Sequence, residues 1–81
     1  MKELIIKFQP FIFKQLVFIK DGRKITQQEV PPKELASFIS LCEGIDTVHF
    51  FGNQKYAERI AEECKCKYNI KTKNIKFIFN K

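Results

Sequence analysis

Apolar and polar residues alternate from Lys2 to Phe8, with Leu4, Ile6 and Phe8 on one side and Glu3, Ile5 and Lys7 on the other. A period of two predicts a first strand. Gln9-Pro10 breaks it, because proline donates nothing to a ladder, and Phe11 to Lys20 resumes as a second strand with room for a bulge at Lys14-Gln15. Asp21-Gly22 tolerates the positive φ of a tight hairpin turn and leads into a third strand, Lys24 to Val30. That strand is polar through Thr26, Gln27, Gln28 and Glu29, which suits a sheet edge.

Pro31-Pro32 ends the strand and opens a helix expected to run to Glu43, with Gly44 as its carboxyl-terminal cap. Leu35, Phe38, Ile39 and Cys42 are spaced i, i+3, i+4, i+7, so one face should be buried. Thr47 to Phe51 predicts a fourth strand, stopped by Gly52-Asn53. Gln54 to Tyr68 then carries Ala57, Ile60, Ala61, Cys64 and Tyr68 at helical spacing. Asn74 to Phe79 closes the chain as a fifth strand, alternating Ile75, Phe77 and Phe79 with Asn74, Lys76 and Ile78. The order β-β-β-α-β-α-β describes an α/β protein with a mixed sheet: a meander followed by two crossover units. At 81 residues it should form one domain, residues 1–81.

This element order resembles the elementary core of the ribonuclease H-like superfold, shared with the nucleotide-binding halves of actin-like ATPases. The resemblance is one of topology and spans almost the whole chain; it implies the sheet order 3-2-1-4-5. With right-handed crossovers, both helices then fall on one face, because the moves from third to fourth and fourth to fifth strand run in the same direction. The stretches Gln9-Pro10-Phe11-Ile12-Phe13-Lys14-Gln15 and Val48-His49-Phe50-Phe51-Gly52-Asn53-Gln54-Lys55-Tyr56 are in turn similar to small open reading frames of phages and other mobile elements in low-GC bacteria. That likeness implies a setting and no activity.

The chemistry of the resembled enzymes is not matched residue by residue. Two-metal nucleases need carboxylates clustered at strand ends to hold ions about 4 Å apart. Here the first strand offers only Glu3, at the opposite end, and the fourth exits through Gly52-Asn53-Gln54. The glycine-rich phosphate hairpin of actin-like proteins is replaced by Gln9-Pro10. His49, the single histidine, has Cys42 or Asp46 as conceivable partners but no motif joining them, and in mid-strand it reads as a packed or partner-facing imidazole. Cys64 and Cys66 would point about 200° apart on a helix, so no metal site is expected, and no cofactor. Three cysteines make an odd set, which suits reduced thiols. With charge interrupting the first residues and no apolar run near the roughly 20 residues that cross a bilayer, a cytoplasmic protein without membrane contact is expected.

Charge is placed unevenly. The formal net charge is +6: residues 1–24 hold six bases and two acids (+4), residues 25–63 three and seven (−4), and residues 64–81 six and none (+6). Lys65, Lys67, Lys71, Lys73, Lys76 and Lys81 should therefore gather at one sheet edge, where a nucleic-acid backbone could bind. Against that, only Arg23 and Arg59 supply guanidinium groups, and edge lysines also keep strands from pairing. Gly52 and Asn53 precede a helix start, where amides can hold an anion; the plainer reading is a turn and a cap.

With the helices over Leu4, Ile6, Phe8, Val48, Phe50, Ile75, Phe77 and Phe79, the opposite face keeps Ile5, His49, Phe51 and Ile78. To these the second strand adds several of Phe11, Phe13, Val17 and Ile19, or else Ile12, Leu16 and Phe18. An uncovered apolar face marks a contact surface on a soluble protein. The leading expectation is a non-enzymatic protein-binding module, an accessory or inhibitor protein that self-associates or holds a protein partner through this face. The alternative is a small basic nucleic-acid-binding protein using the lysine edge.

Overall fold

The computed structural model describes residues 2–8, 14–42, 44–66 and 75–80. Strands β1 (Lys2–Lys7), β2 (Gln15–Asp21) and β3 (Lys24–Val30) form the meander, followed by a 3-10 turn at Pro32–Glu34 and helix α1 (Leu35–Leu41). Strand β4 (Ile45–Phe51), helix α2 (Gln54–Cys66) and strand β5 (Lys76–Asn80) complete the fold. The sheet order is β3-β2-β1-β4-β5, as the topology implied. β2 runs antiparallel to β1 and β3, whereas β4 lies parallel to both β1 and β5.

Register brings one apolar set together beneath the helices. Ile6 faces Val17 on one side and Phe50 on the other, and Leu4 sits between Ile19 and Val48. Leu4, Ile6, Val17, Val48 and Phe50 are buried with Leu35, Ala36 and Ile39 of α1 and Ala57, Ile60, Ala61 and Cys64 of α2 in a single core. Both helices thus lie on one face and touch each other there. The Cys64 thiol donates to the Ala36 carbonyl, 3.8 Å away, inside that contact. Phe8, Phe77 and Ile75 close the core's rim, while Phe79, assigned to the same side, is 38% exposed.

The meander's edge strand β3 is exposed along its length except for Val30, as its polar composition demands. The second strand resolves in favour of Leu16 and Phe18 on the uncovered side, since Val17 is buried under the helices and Ile19 packs there too. Residues 11–13 lie outside the described residues, as do Glu43, Tyr68 and Asn74.

The first helix differs from expectation at both ends. Its opening turn is 3-10, closed by the Glu34 amide donating to the Pro31 carbonyl at 2.9 Å. It ends at Leu41 rather than Glu43: Cys42 is extended (φ −83°, ψ 118°), its amide reaching back only to Ile39. Ser37 and Ser40 hydroxyls donate to the carbonyls three residues earlier, a local alternative to the ladder that weakens a short helix. Gly44 is therefore not the cap; it serves the turn into β4 with φ +76°. The fourth strand in turn begins two residues earlier, at Ile45, and a register irregularity against β1 falls between Lys2 and Glu3.

Candidate interaction surface

Strand alternation and register set the opposite face as three rows crossing the sheet. The middle row runs Gln27, Phe18, Ile5, His49, Ile78 from β3 to β5. One outer row runs Glu29, Leu16, Lys7, Phe51, Asn80, and the other Ile25, Lys20, Glu3, Thr47, Lys76. Among the described residues no helix or strand covers these rows. Ile5, His49, Phe51 and Ile78, singled out from the sequence, stand together: three in the middle row and Phe51 beside His49 on β4. Phe51 is 37% exposed; Phe18, Ile5, His49 and Ile78 are half-buried, and Gln27 at the end of the row is exposed.

The surface is an apolar stripe between two mixed rows, in which charged side chains stand among apolar ones such as Leu16, Phe51 and Ile25. Lys7 reaches from its outer row over the Phe18 ring, with the Nζ charge itself 5.3 Å from the centroid. His49 does not meet Cys42 or Asp46: its Nε2–H donates to Glu3 Oε1 at 2.9 Å. The two side chains are diagonal neighbours across the parallel β1/β4 pair, with Glu3 opposite Thr47 and Ile5 opposite His49. This hydrogen bond is the main influence holding the Glu3 carboxyl below its ordinary value; burial opposes it, and the imidazole's charge adds to the lowering. The alternation that put Glu3 and Ile5 on one side, combined with adjacency of the first and fourth strands, was sufficient to locate the pair, but Glu3 draws attention only if His49 is read as facing outward.

The other candidates are dispersed. Asn53 Oδ1 accepts from the Tyr56 amide at 3.1 Å and the Asn53 carbonyl from the Ala57 amide at 3.0 Å, which makes Asn53 the amino-terminal cap of α2. Gly52 adopts φ +109° in the turn that feeds it. Of the lysine edge, Lys65 and Lys76 are described and exposed, on α2 and β5. Lys67, Lys71, Lys73 and Lys81 lie outside the described residues. Lys65 Nζ stands 5.7 Å from the Phe77 ring centroid, so part of its role is to cover the end of the core.

Cys42, Cys64 and Cys66 are free thiols, and among the described residues no three His, Cys, Asp or Glu side chains converge as metal ligands would. No helix among them is long and apolar enough to cross a membrane. The chain matches no protein-family model, no curated protein and no solved structure.

Proposed function

We propose that the chain is a non-enzymatic protein-binding module of the cytosol, an accessory or inhibitor protein of a phage or mobile element that acts by contact through the uncovered sheet face. One observation carries this reading: Phe18, Ile5 and Ile78 form an apolar row with His49, open on the side away from the helices. A half-covered sheet of this kind gains by removing that row from water, at about 25 cal/mol for each Å² buried. The charged side chains of the outer rows oppose indiscriminate aggregation and favour one register of contact.

Light scattering through a salt series, with and without an oligonucleotide, tests the proposal. Association through this face should weaken only modestly from low to moderate salt, as its few charge pairs are screened, and be lost in Phe51→Asp or Ile5→Asp. Oligonucleotide binding that falls steeply with salt and survives Phe51→Asp would instead support the alternative, a nucleic-acid-binding protein using the lysine edge.

A further inference from the structure

The row pattern restricts how a second copy could cover the face. In the aligned mode of sheet packing, two sheets lie face to face about 10 Å apart with their strands within about 30° of parallel or antiparallel, and that mode leaves two simple in-plane two-fold axes. An axis along β1 sets Lys7 against the partner's Lys7 and Glu3 against the partner's Glu3, like charges meeting at the centre. An axis along the middle row exchanges the two outer rows instead. Lys7 then faces the partner's Glu3, Lys20 the partner's Leu16, and Lys76 the partner's Asn80, so that no like charges oppose across the exchanged rows.

We infer that the occupant of the uncovered face is a second copy of this chain, related by a two-fold axis along the Phe18–Ile5–His49–Ile78 row. This rests on the interaction-module reading and names its partner. Ile5 stacks on its own counterpart at the centre, where the twist between sheets displaces facing residues least, and the two Lys7–Glu3 pairs flank it on either side. Glu3 keeps its hydrogen bond from His49, which engages Oε1. Lys7 rests its ammonium over Phe18 in this structure and would swing from that ring to the border to meet the partner's Glu3.

The face is small. Five strands about 4.8 Å apart and six residues of about 3.3 Å each span roughly 24 by 20 Å. That falls below the roughly 800 Å² per partner of a standard interface, so the dimer should be weak.

A charge-swap series read by sedimentation equilibrium tests the axis. Lys7→Glu alone and Glu3→Lys alone should each weaken dimerisation at least about tenfold, since each places two like-charge pairs at the centre. An equimolar mixture of the two variants should recover dimers, because every central pair across the heterodimer is again opposite in charge; the double variant Lys7→Glu/Glu3→Lys should recover them as a homodimer. Circular dichroism verifies that each variant is folded, and recovery in the mixture cannot arise from misfolded components. Single variants that dimerise like the native chain, or a mixture that stays monomeric, would overturn the inferred axis.

A native chain that remains monomeric at about 0.5 mM overturns the second copy as occupant. Binding of an environment-sensitive apolar dye then separates the two readings. Dye fluorescence from the monomer that vanishes in Ile5→Asp leaves the face an open contact surface for another protein, whereas a monomer that binds no dye defeats both.

Discussion

The ring of Phe8 lies nearly parallel to that of Phe50, 9° between planes and 5.9 Å between centroids. Phe50 in turn stacks on Phe79 at 5.5 Å and Phe77 at 6.1 Å. The three neighbours come from the end of β1 and from β5, so one residue of β4 joins both sides of the parallel region. Phe50 is also 1% exposed, leaving no solvent to fill its place. Phe50→Ala should therefore cost about 3–5 kcal/mol, by lost transfer energy and by the void between three rings. Urea unfolding followed by circular dichroism measures it; a loss below about 1 kcal/mol would contradict this packing.

Gly52 joins β4 to α2 with φ +109°, and a Cβ built there would lie 3.2 Å from both the Cβ and the carbonyl oxygen of Phe8. The Phe8 backbone cannot retreat easily, because its amide donates to the Phe51 carbonyl at 2.9 Å. Gly52→Ala should destabilise the fold by about 2 kcal/mol, through the backbone conformation and the close approach together. Gly22, in the hairpin turn at φ +65°, has nothing within 4 Å of such a Cβ. Gly22→Ala should consequently cost only about 1 kcal/mol. Comparing the two urea midpoints checks the difference, and equal effects would contradict the crowding assigned to Phe8.

Most of this architecture was legible in the chain because local and long-range patterns agree. Alternation in Lys2–Lys7 and the Asp21-Gly22 turn specify a meander, and proline followed by i, i+3, i+4 spacing specifies the first helix. Val17 was not assignable between faces because Phe11 to Ile19 is apolar on both alternations; only pairing of Ile6 with Val17 decides it. The end of α1 was obscure for a related reason. Cys42 continues the apolar period, but its backbone belongs to the return toward β4. On the candidate surface, Ile5, His49, Phe51 and Ile78 follow from alternation together with crossover handedness, whereas the Glu3 partner of His49 requires the register of the first strand against the fourth.

The Glu3–His49 bond has a measurable titration. With its folded value lowered from the ordinary 4.5, Glu3 contributes stability that is fully present above the unfolded value and is lost as pH falls through the lowered folded value. Carboxyl chemical shifts from NMR should give Glu3 a midpoint below 4.5, and His49→Leu, which removes the donor, should move it upward. A midpoint unchanged by that substitution would mean that Lys20 and the amino terminus, the weaker influences, hold the carboxylate instead.

Cys64 predicts the opposite slope at alkaline pH. Burial in the α1/α2 contact pushes its thiol from the ordinary 9.0 up to about 12, and Glu63 adds to the shift. Because the folded value is the higher one, the contribution is complete below pH 9.0 and declines as the unfolded chain ionises first, until pH passes the folded value near 12. Chemical denaturation at pH 8 and pH 10, native against Cys64→Ala, isolates this from other alkaline titrations. The native chain should lose more stability between the two conditions than the variant does, and parallel losses would refute the assignment.

Exposure alone does not make a thiol reactive, as Cys66 should demonstrate. It is exposed near the end of α2, yet its Sγ donates to Glu62 Oε1 at 3.3 Å. That bond raises its ionisation above the ordinary value, with the carboxylate's charge adding to the effect and Lys65 opposing it. The thiolate is the nucleophile, so alkylation of Cys66 at neutral pH should be slower than that of an unstructured thiol. Glu62→Gln removes the charge and should speed the reaction several-fold, while Cys64, enclosed between the helices, stays unmodified in both proteins. Mass spectrometry of iodoacetamide-treated samples over time reads each site separately. Equal rates at Cys66 with and without Glu62 would show that the carboxylate exerts no hold on the thiol, and modification of Cys64 at the same pace would require the two helices to part on the timescale of the reaction.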